Sequence, residues 1–187
     1  MSIMTDISGF CEDRFHPVKE AFTQNFEEGL EIGASLGVTL KGKMVVDLWG
    51  GHTNAEKSHL WEQDTIVNVY STTKIMGALC VHILVDRGLI NLDTPVSKYW
   101  PEFAQAGKSE TLVRFLLSHT SGISRFDESI TVPDLYNWKK MTNMVASEKP
   151  WWKPGTRSGY QSITFSFLIG ELIRRVLEQS GNSSKTL

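Results

Sequence analysis

Two runs rich in β-branched and apolar residues, 33–40 and 44–49, flank Lys41-Gly42-Lys43 and close on Gly50-Gly51. Strand-forming residues on both sides of a short glycine-bearing turn predict an antiparallel hairpin. An isolated hairpin leaves its apolar face in water, so a further sheet or a helix has to cover it. That requirement excludes an all-helical chain and makes strand-helix packing the central question of the fold.

Helical periodicity supplies the other half. Val18, Ala21, Phe22 and Phe26 recur at helical spacing over residues 17–28, and Gly29 follows as a stop. Over residues 72–87, Ile75, Leu79 and Ile83 run beside Met76, Cys80 and Leu84 on one broad stripe, which predicts a buried helix. Residues 88–95 read as a helix stop and turn, 96–100 as a short helical or irregular piece, and 111–118 as a helix ended by His119-Thr120-Ser121-Gly122. The aromatic stretch 124–154 reads as irregular, and 162–178 as a strongly apolar helix.

The short run before the long stripe ends on Ser71-Thr72-Thr73-Lys74. Two side chains three positions apart on a helix share a face, so the Lys74 amine can reach the Ser71 hydroxyl. A serine hydroxyl is a poor nucleophile until a neighbouring base takes its proton. Roughly one Ser-x-x-Lys is expected by chance in a chain of 187 residues, given how common both residues are. Only Ser71 among the serines has a lysine three positions later, and it sits at a helix start, where free backbone amides and the helix dipole favour developing negative charge.

Four ordered segments give the motif a context: Tyr70-Ser71-Thr72-Thr73-Lys74; Asp86-Arg87-Gly88-Leu89-Ile90-Asn91-Leu92-Asp93-Thr94-Pro95-Val96; Leu116-Leu117-Ser118-His119-Thr120-Ser121-Gly122; and Pro154-Gly155-Thr156-Arg157-Ser158-Gly159-Tyr160-Gln161-Ser162. With the hairpin before them, they resemble the serine β-lactamase and penicillin-binding-protein superfamily. Within it, the branch resembled is that of class C β-lactamases, DD-peptidases and family VIII carboxylesterases, and the wording is closest to cytoplasmic esterase-like members.

The resemblance implies an α+β fold of the β-lactamase/transpeptidase type, an α/β sandwich, here as one domain over residues 1–187 with an incomplete antiparallel sheet packed with a helical region. It implies a serine hydrolase acting on small esters or amides. Ser71 matches the acylated nucleophile, Lys74 the lysine that helps to deprotonate it, and Tyr160 the tyrosine that completes the proton shuttle; Tyr160 alone among the tyrosines has Ser or Asn two positions later. Ser162 and Trp152 are expected at the substrate, and Trp138 and Trp151 are further candidates for an acyl cleft. His119 falls on a structural position of the family pattern, as a hydrogen-bonded histidine at a helix C-terminus with Gly122 supplying the turn.

The chain departs from the family pattern twice. Its second motif reads Tyr160-Gln161-Ser162 where Tyr-x-Asn is frequent, which weakens the β-lactamase reading more than the esterase one. A third motif, a Lys-Thr-Gly, Trp-x-Gly or His-x-Gly triplet that supplies the second oxyanion donor, is missing; Lys185-Thr186-Leu187 lacks the glycine and reads as a polar tail. The expectation is therefore an N-terminal fragment or truncated gene product, with unpaired strand edges that favour association. Loss of one oxyanion donor costs about 10²–10³ in rate. The competing expectation is a non-catalytic binding or assembly module on the same fold. Esterase, weak β-lactamase and peptidase all stay open.

Composition narrows the partners. The chain is 41% hydrophobic and 21% charged with a net charge of −2, a globular balance that gives no electrostatic reason to expect nucleic acid. No apolar run has the length of a membrane span and no signal peptide is visible, so the expected location is the cytoplasm without membrane attachment. Cys11 and Cys80 read as two reduced thiols, and His52, His59 and His82 share no metal spacing; no metal or cofactor is expected. Ser121 is not in a Gly-x-Ser-x-Gly elbow, which disfavours an α/β-hydrolase.

Overall fold

The computed structural model describes residues 6–181, so the tail at 185–187 lies outside the described residues. The chain gathers into two compact units, Met1–Asn68 and Val69–Leu187.

In the first unit, β1 (Ile7–Cys11), β2 (Gly33–Leu40) and β3 (Lys43–Gly51) form an open antiparallel sheet in the order β1-β3-β2. The expected hairpin is β2 and β3. Its two-residue turn, Lys41 and Gly42, has φ of 50° and 76°, the left-handed pair whose twist suits a tight hairpin. The helix α1 (His16–Glu27), with Pro17 in its first turn, supplies the cover the hairpin needs: Phe22 and Phe26 form one apolar cluster with Val45, Val46 and Leu48.

The strand β1 was not expected from the sequence. It is short, and Gly9 interrupts its pattern, yet Gly9 is the residue that lets it pair. Gly9 has φ of 100°, and a Cβ there would stand 1.9 Å from the Asp47 carbonyl oxygen. Only glycine permits that approach.

The second unit is helical. The helix α2 (Thr73–Asp86) follows a 3-10 turn at Tyr70–Thr72, and α6 (Thr164–Gln179) packs against it. Between them lie α3 (Val113–Leu117), α4 (Val132–Leu135) and α5 (Trp138–Ser147). Trp100, Phe103, Leu116, Met141, Leu168 and Leu172 are core side chains. The turn after α2 is a Schellman motif: the Leu89 amide donates to the Leu84 carbonyl, the Gly88 amide to the Val85 carbonyl, and Gly88 has φ of 69°.

Two expectations are corrected here. Residues 124–154 are not wholly irregular: α5 is capped by the Asn137 side chain, which accepts from the Lys140 amide, and it buries Met141, Thr142, Val145 and Ala146. Their 0, 1, 4, 5 spacing is helical and was readable beneath the aromatic bias. The helix α2 is not buried all round: Val81 and Leu84 are fully buried, whereas Ile75 and Leu79 are 67% and 49% exposed. Its inner side is covered by α6, where Gly77 lets Phe165 and Ile169 come close.

Among the described residues, two charged groups are buried in this unit. Lys108 donates to the carbonyls of Gln105 (2.9 Å) and Glu148 and lies over the Phe103 ring; burial lowers its pKa to about 8. Glu171 accepts from Trp138 Nε1 (2.8 Å), Arg174 and Arg175, and Arg175 reaches on to Glu102. Burial alone would raise the Glu171 pKa, but the hydrogen bonds from the two guanidinium groups and the indole outweigh it and hold it at about 2.

Candidate active site

Ser71 lies on the 3-10 turn, one residue after a backbone in an unusual conformation: Tyr70 has φ of 44°. A bulky L-residue in the left-handed region stores strain, and such strain clusters at functional sites. The turn runs straight into α2, so Lys74 comes round onto the face of Ser71. Lys74 Nζ donates to Ser71 Oγ at 3.0 Å. The expected nucleophile and base are thus in direct contact.

Tyr160 arrives from the other end of the unit, on the segment before α6. Lys74 Nζ stands 5.1 Å from the centroid of its ring and 5.9 Å from that of Phe165. Hydrogen bonding to the Ser71 and Lys74 side chains, with the Lys74 charge adding to it, lowers the phenol pKa below the ordinary tyrosine value. A phenol that ionises more readily is a better proton carrier.

Ser162 is exposed and lines a cavity of about 440 Å³ with Arg125, Phe126 and Ile163. Trp152 is part-buried and packs under the backbone just before Tyr160: a Cβ on Gly159 would come 2.3 Å from the Trp152 ring. Trp138 faces α6, its indole bound to Glu171 and its ring 5.4 Å from that of Phe167, while Trp151 is half exposed beneath the Arg125 guanidinium at 4.2 Å. A second, apolar cavity of about 290 Å³ opens beside Lys74, lined by Tyr70, Met76, Gly77, Cys80, Phe165 and Ile169.

The sequence reading placed His119 as structural; its surroundings connect it to the tyrosine. His119 occupies the residue after the α3 cap with φ of 59°, while the Thr120 amide bonds back to the Phe115 carbonyl at 3.0 Å. This is the left-handed position that helix ends usually give to glycine. From there its carbonyl accepts from the Gly159 amide (2.9 Å), its Nδ1 accepts from the Gln161 amide (3.2 Å), and its ring lies 4.9 Å from that of Tyr160. Ser124 Oγ donates to the Gly159 carbonyl at 2.8 Å. No sequence signal pointed to Ser124.

Among the described residues, no group of three His, Cys, Asp or Glu side chains is arranged to hold a metal ion, and no helix is long and apolar enough to cross a membrane. Cys11 and Cys80 are free thiols.

The structure thus brings Ser71, Lys74 and Tyr160 together at the start of α2. The beta-lactamase family model matches residues 22–183, and the chain belongs to that family. It is 35% identical over 170 residues to the esterase/beta-lactamase LipL of Mycobacterium tuberculosis, covering 91% of this chain and 39% of that protein. Among solved structures, a family VIII carboxylesterase matches with a TM-score of 0.89 and 45% identity, over 94% of this chain and 47% of that one. A penicillin-binding-protein homologue from Caulobacter crescentus matches with a TM-score of 0.88 and 40% identity, over 91% and 46%. The chain therefore spans somewhat less than half the length of the proteins it matches.

Proposed function

We propose that the chain carries the acylation machinery of a serine hydrolase acting on small carboxylic esters. The observation that carries this reading is the 3.0 Å contact between Lys74 Nζ and Ser71 Oγ, with the Tyr160 phenol beside both. In the proposed reaction Ser71 Oγ attacks the ester carbonyl carbon while its proton passes to Tyr160, whose ionised form the neighbouring Lys74 ammonium stabilises. Tyr160, beside both groups, hands that proton to the departing alkoxide as the C–O bond breaks and the acyl-Ser71 ester remains. Water then attacks that ester, delivering its proton back through the same groups and releasing the acid. The apolar cavity beside Lys74 suits the acyl chain, since such pockets bind apolar groups and leave the polar atoms to fix orientation. Amide and β-lactam substrates are disfavoured by Ser162, whose short hydroxyl stands where an amide side chain would reach further.

The test is pre-steady-state release of p-nitrophenol from p-nitrophenyl acetate by the 187-residue protein. A burst stoichiometric with protein, absent in Ser71→Ala, together with a mass increase of one acetyl group on the peptide containing Ser71, is the expected result. A well-folded protein with no burst and no acetyl adduct would overturn the reading in favour of a non-catalytic module.

A further inference from the structure

We propose that His119 is a positioning residue for the Tyr160 phenol, clamping residues 159–161 through its carbonyl and Nδ1 while its ring rests against the tyrosine ring, and that it does so only as the neutral imidazole. The inference rests on the reading that Tyr160 serves acyl transfer at Ser71.

Three contacts argue for a clamp rather than incidental packing. The Gly159 and Gln161 amides flank Tyr160 in the chain and both donate to His119, one to its main chain and one to its ring. With Ser124 Oγ on the Gly159 carbonyl, the backbone on both sides of the phenol is tied at fixed points. The remaining freedom of Tyr160 is its ring, and the His119 ring lies against it at 4.9 Å with an interplanar angle of 57°.

The backbone of His119 also pays for this arrangement, since glycine or asparagine would adopt φ of 59° with less strain.

The protonation state follows from the donor geometry. Nδ1 accepts from the Gln161 amide, so it carries no proton, and the ring proton of the neutral form sits on Nε2. Adding a proton at Nδ1 turns an acceptor into a donor facing a donor, and the contact is lost. The groups facing the ring are Lys74 from α2, Tyr160 and Gln161 from the segment before α6, and Phe165 from α6. Lys74 is the only cation among them, and among the described residues no carboxylate faces the ring to favour the imidazolium. Burial lowers the His119 pKa, the Gln161 side chain opposes this, and the Lys74 charge lowers it further. The clamp is therefore closed at neutral pH and opens on acidification below the ordinary imidazole value, about 6.5.

Asparagine and glycine at position 119 separate the roles. Asparagine tolerates the left-handed backbone and places Oδ1 near the Nδ1 position, as an acceptor that does not titrate. Glycine relieves the backbone and removes the clamp. For ester turnover between pH 5 and 8, His119→Gly is expected to lower kcat by about 10–100-fold, the scale of a misplaced catalytic group, with KM little changed. His119→Asn is expected to restore kcat at pH 8 to within a few-fold of the parent and to flatten its acid limb. An unchanged kcat in His119→Gly, or an acid limb in His119→Asn identical to the parent's, would overturn the proposal.

A second measurement does not depend on turnover. In the parent protein the Gln161 amide ¹H and ¹⁵N shifts should titrate together with the His119 ring carbons, and the Tyr160 Cζ titration should move toward ordinary tyrosine in His119→Gly but not in His119→Asn. If Gln161 is silent through the His119 titration, the clamp is wrong. If the shifts behave as expected but no variant turns over ester, the hydrolase reading fails and the clamp stands.

Discussion

The sheet unit and the helical unit solve the same packing problem with different resources. Among the described residues of Met1–Asn68 the buried apolar cluster is five side chains, Phe22, Phe26, Val45, Val46 and Leu48, gathered from one helix and the central strand. Among the described residues of Val69–Leu187 the buried cluster holds twenty, drawn from segments spread over residues 81–176. A core of five side chains leaves backbone pairing to do much of the work, so the first unit depends on close approach at its glycines. Among the described residues, only the larger unit buries charged groups, an ammonium at Lys108 and a carboxylate at Glu171. Every proposed catalytic group lies in that unit. Strained and desolvated groups need surrounding structure that over-determines them.

The largest expected effect tests whether the chemistry belongs wholly to the Ser71 face of the helical unit. Lys74→Met keeps the length and apolar contacts of the stem but removes the amine, and acylation of Ser71 by p-nitrophenyl acetate should slow by about 10²–10⁴-fold, the usual contribution of general acid–base catalysis. A rate within threefold of the parent would mean that Ser71 is activated elsewhere.

Next in size is the buried carboxylate. Glu171→Gln leaves Arg174 and Arg175 facing an uncharged group and should destabilise the protein by about 3 kcal/mol in urea unfolding at pH 7. Because the folded-state pKa of Glu171 is held at about 2, below the ordinary 4.5, its stabilising contribution is present above pH 4.5 and is lost as the pH falls from there toward 2. The gap between parent and variant should therefore narrow at pH 3. A gap that stays constant with pH would show that the charge of Glu171 is not what stabilises.

The smallest effect tests the sheet unit. Gly9→Ala forces a Cβ against the Asp47 carbonyl at an unfavourable φ and should cost about 1–3 kcal/mol, the range for a strained backbone position. Hydrogen exchange should show the loss as reduced protection of the amides that pair β1 with β3, registered from Ile7 with Gly50 to Cys11 with Val46. Unchanged protection would mean that β1 adapts, and that the unit depends less on its glycines than the close approach implies.

How much was legible follows from the range of the interaction. The β2-β3 hairpin was visible because its turn and alternation are local, and the Ser71-Lys74 pair because one turn of helix sets its geometry. The helices α1, α2 and α6 were readable within one or two residues from their apolar period. By contrast, β1 became a strand only because Gly9 fits against Asp47, and α5 was obscured by aromatic residues whose partners lie on α6. The role of His119 was equally hidden. Its motif marks a helix end, while its contacts reach 40 and more residues ahead to Gly159, Tyr160 and Gln161.

The sequence by itself determined the β2-β3 hairpin, the helices α1, α2 and α6, the family resemblance and the pairing of Ser71 with Lys74, because propensity, turn chemistry and a three-residue spacing act over a few bonds. Tertiary structure alone decided which side of α2 is covered, that Trp152 supports Gly159, and that His119 ties down the backbone around the phenol. Those outcomes depend on which side chains meet across the packed helices. Such meetings are fixed by excluded volume and hydrogen-bond satisfaction in three dimensions, not by spacing along the chain.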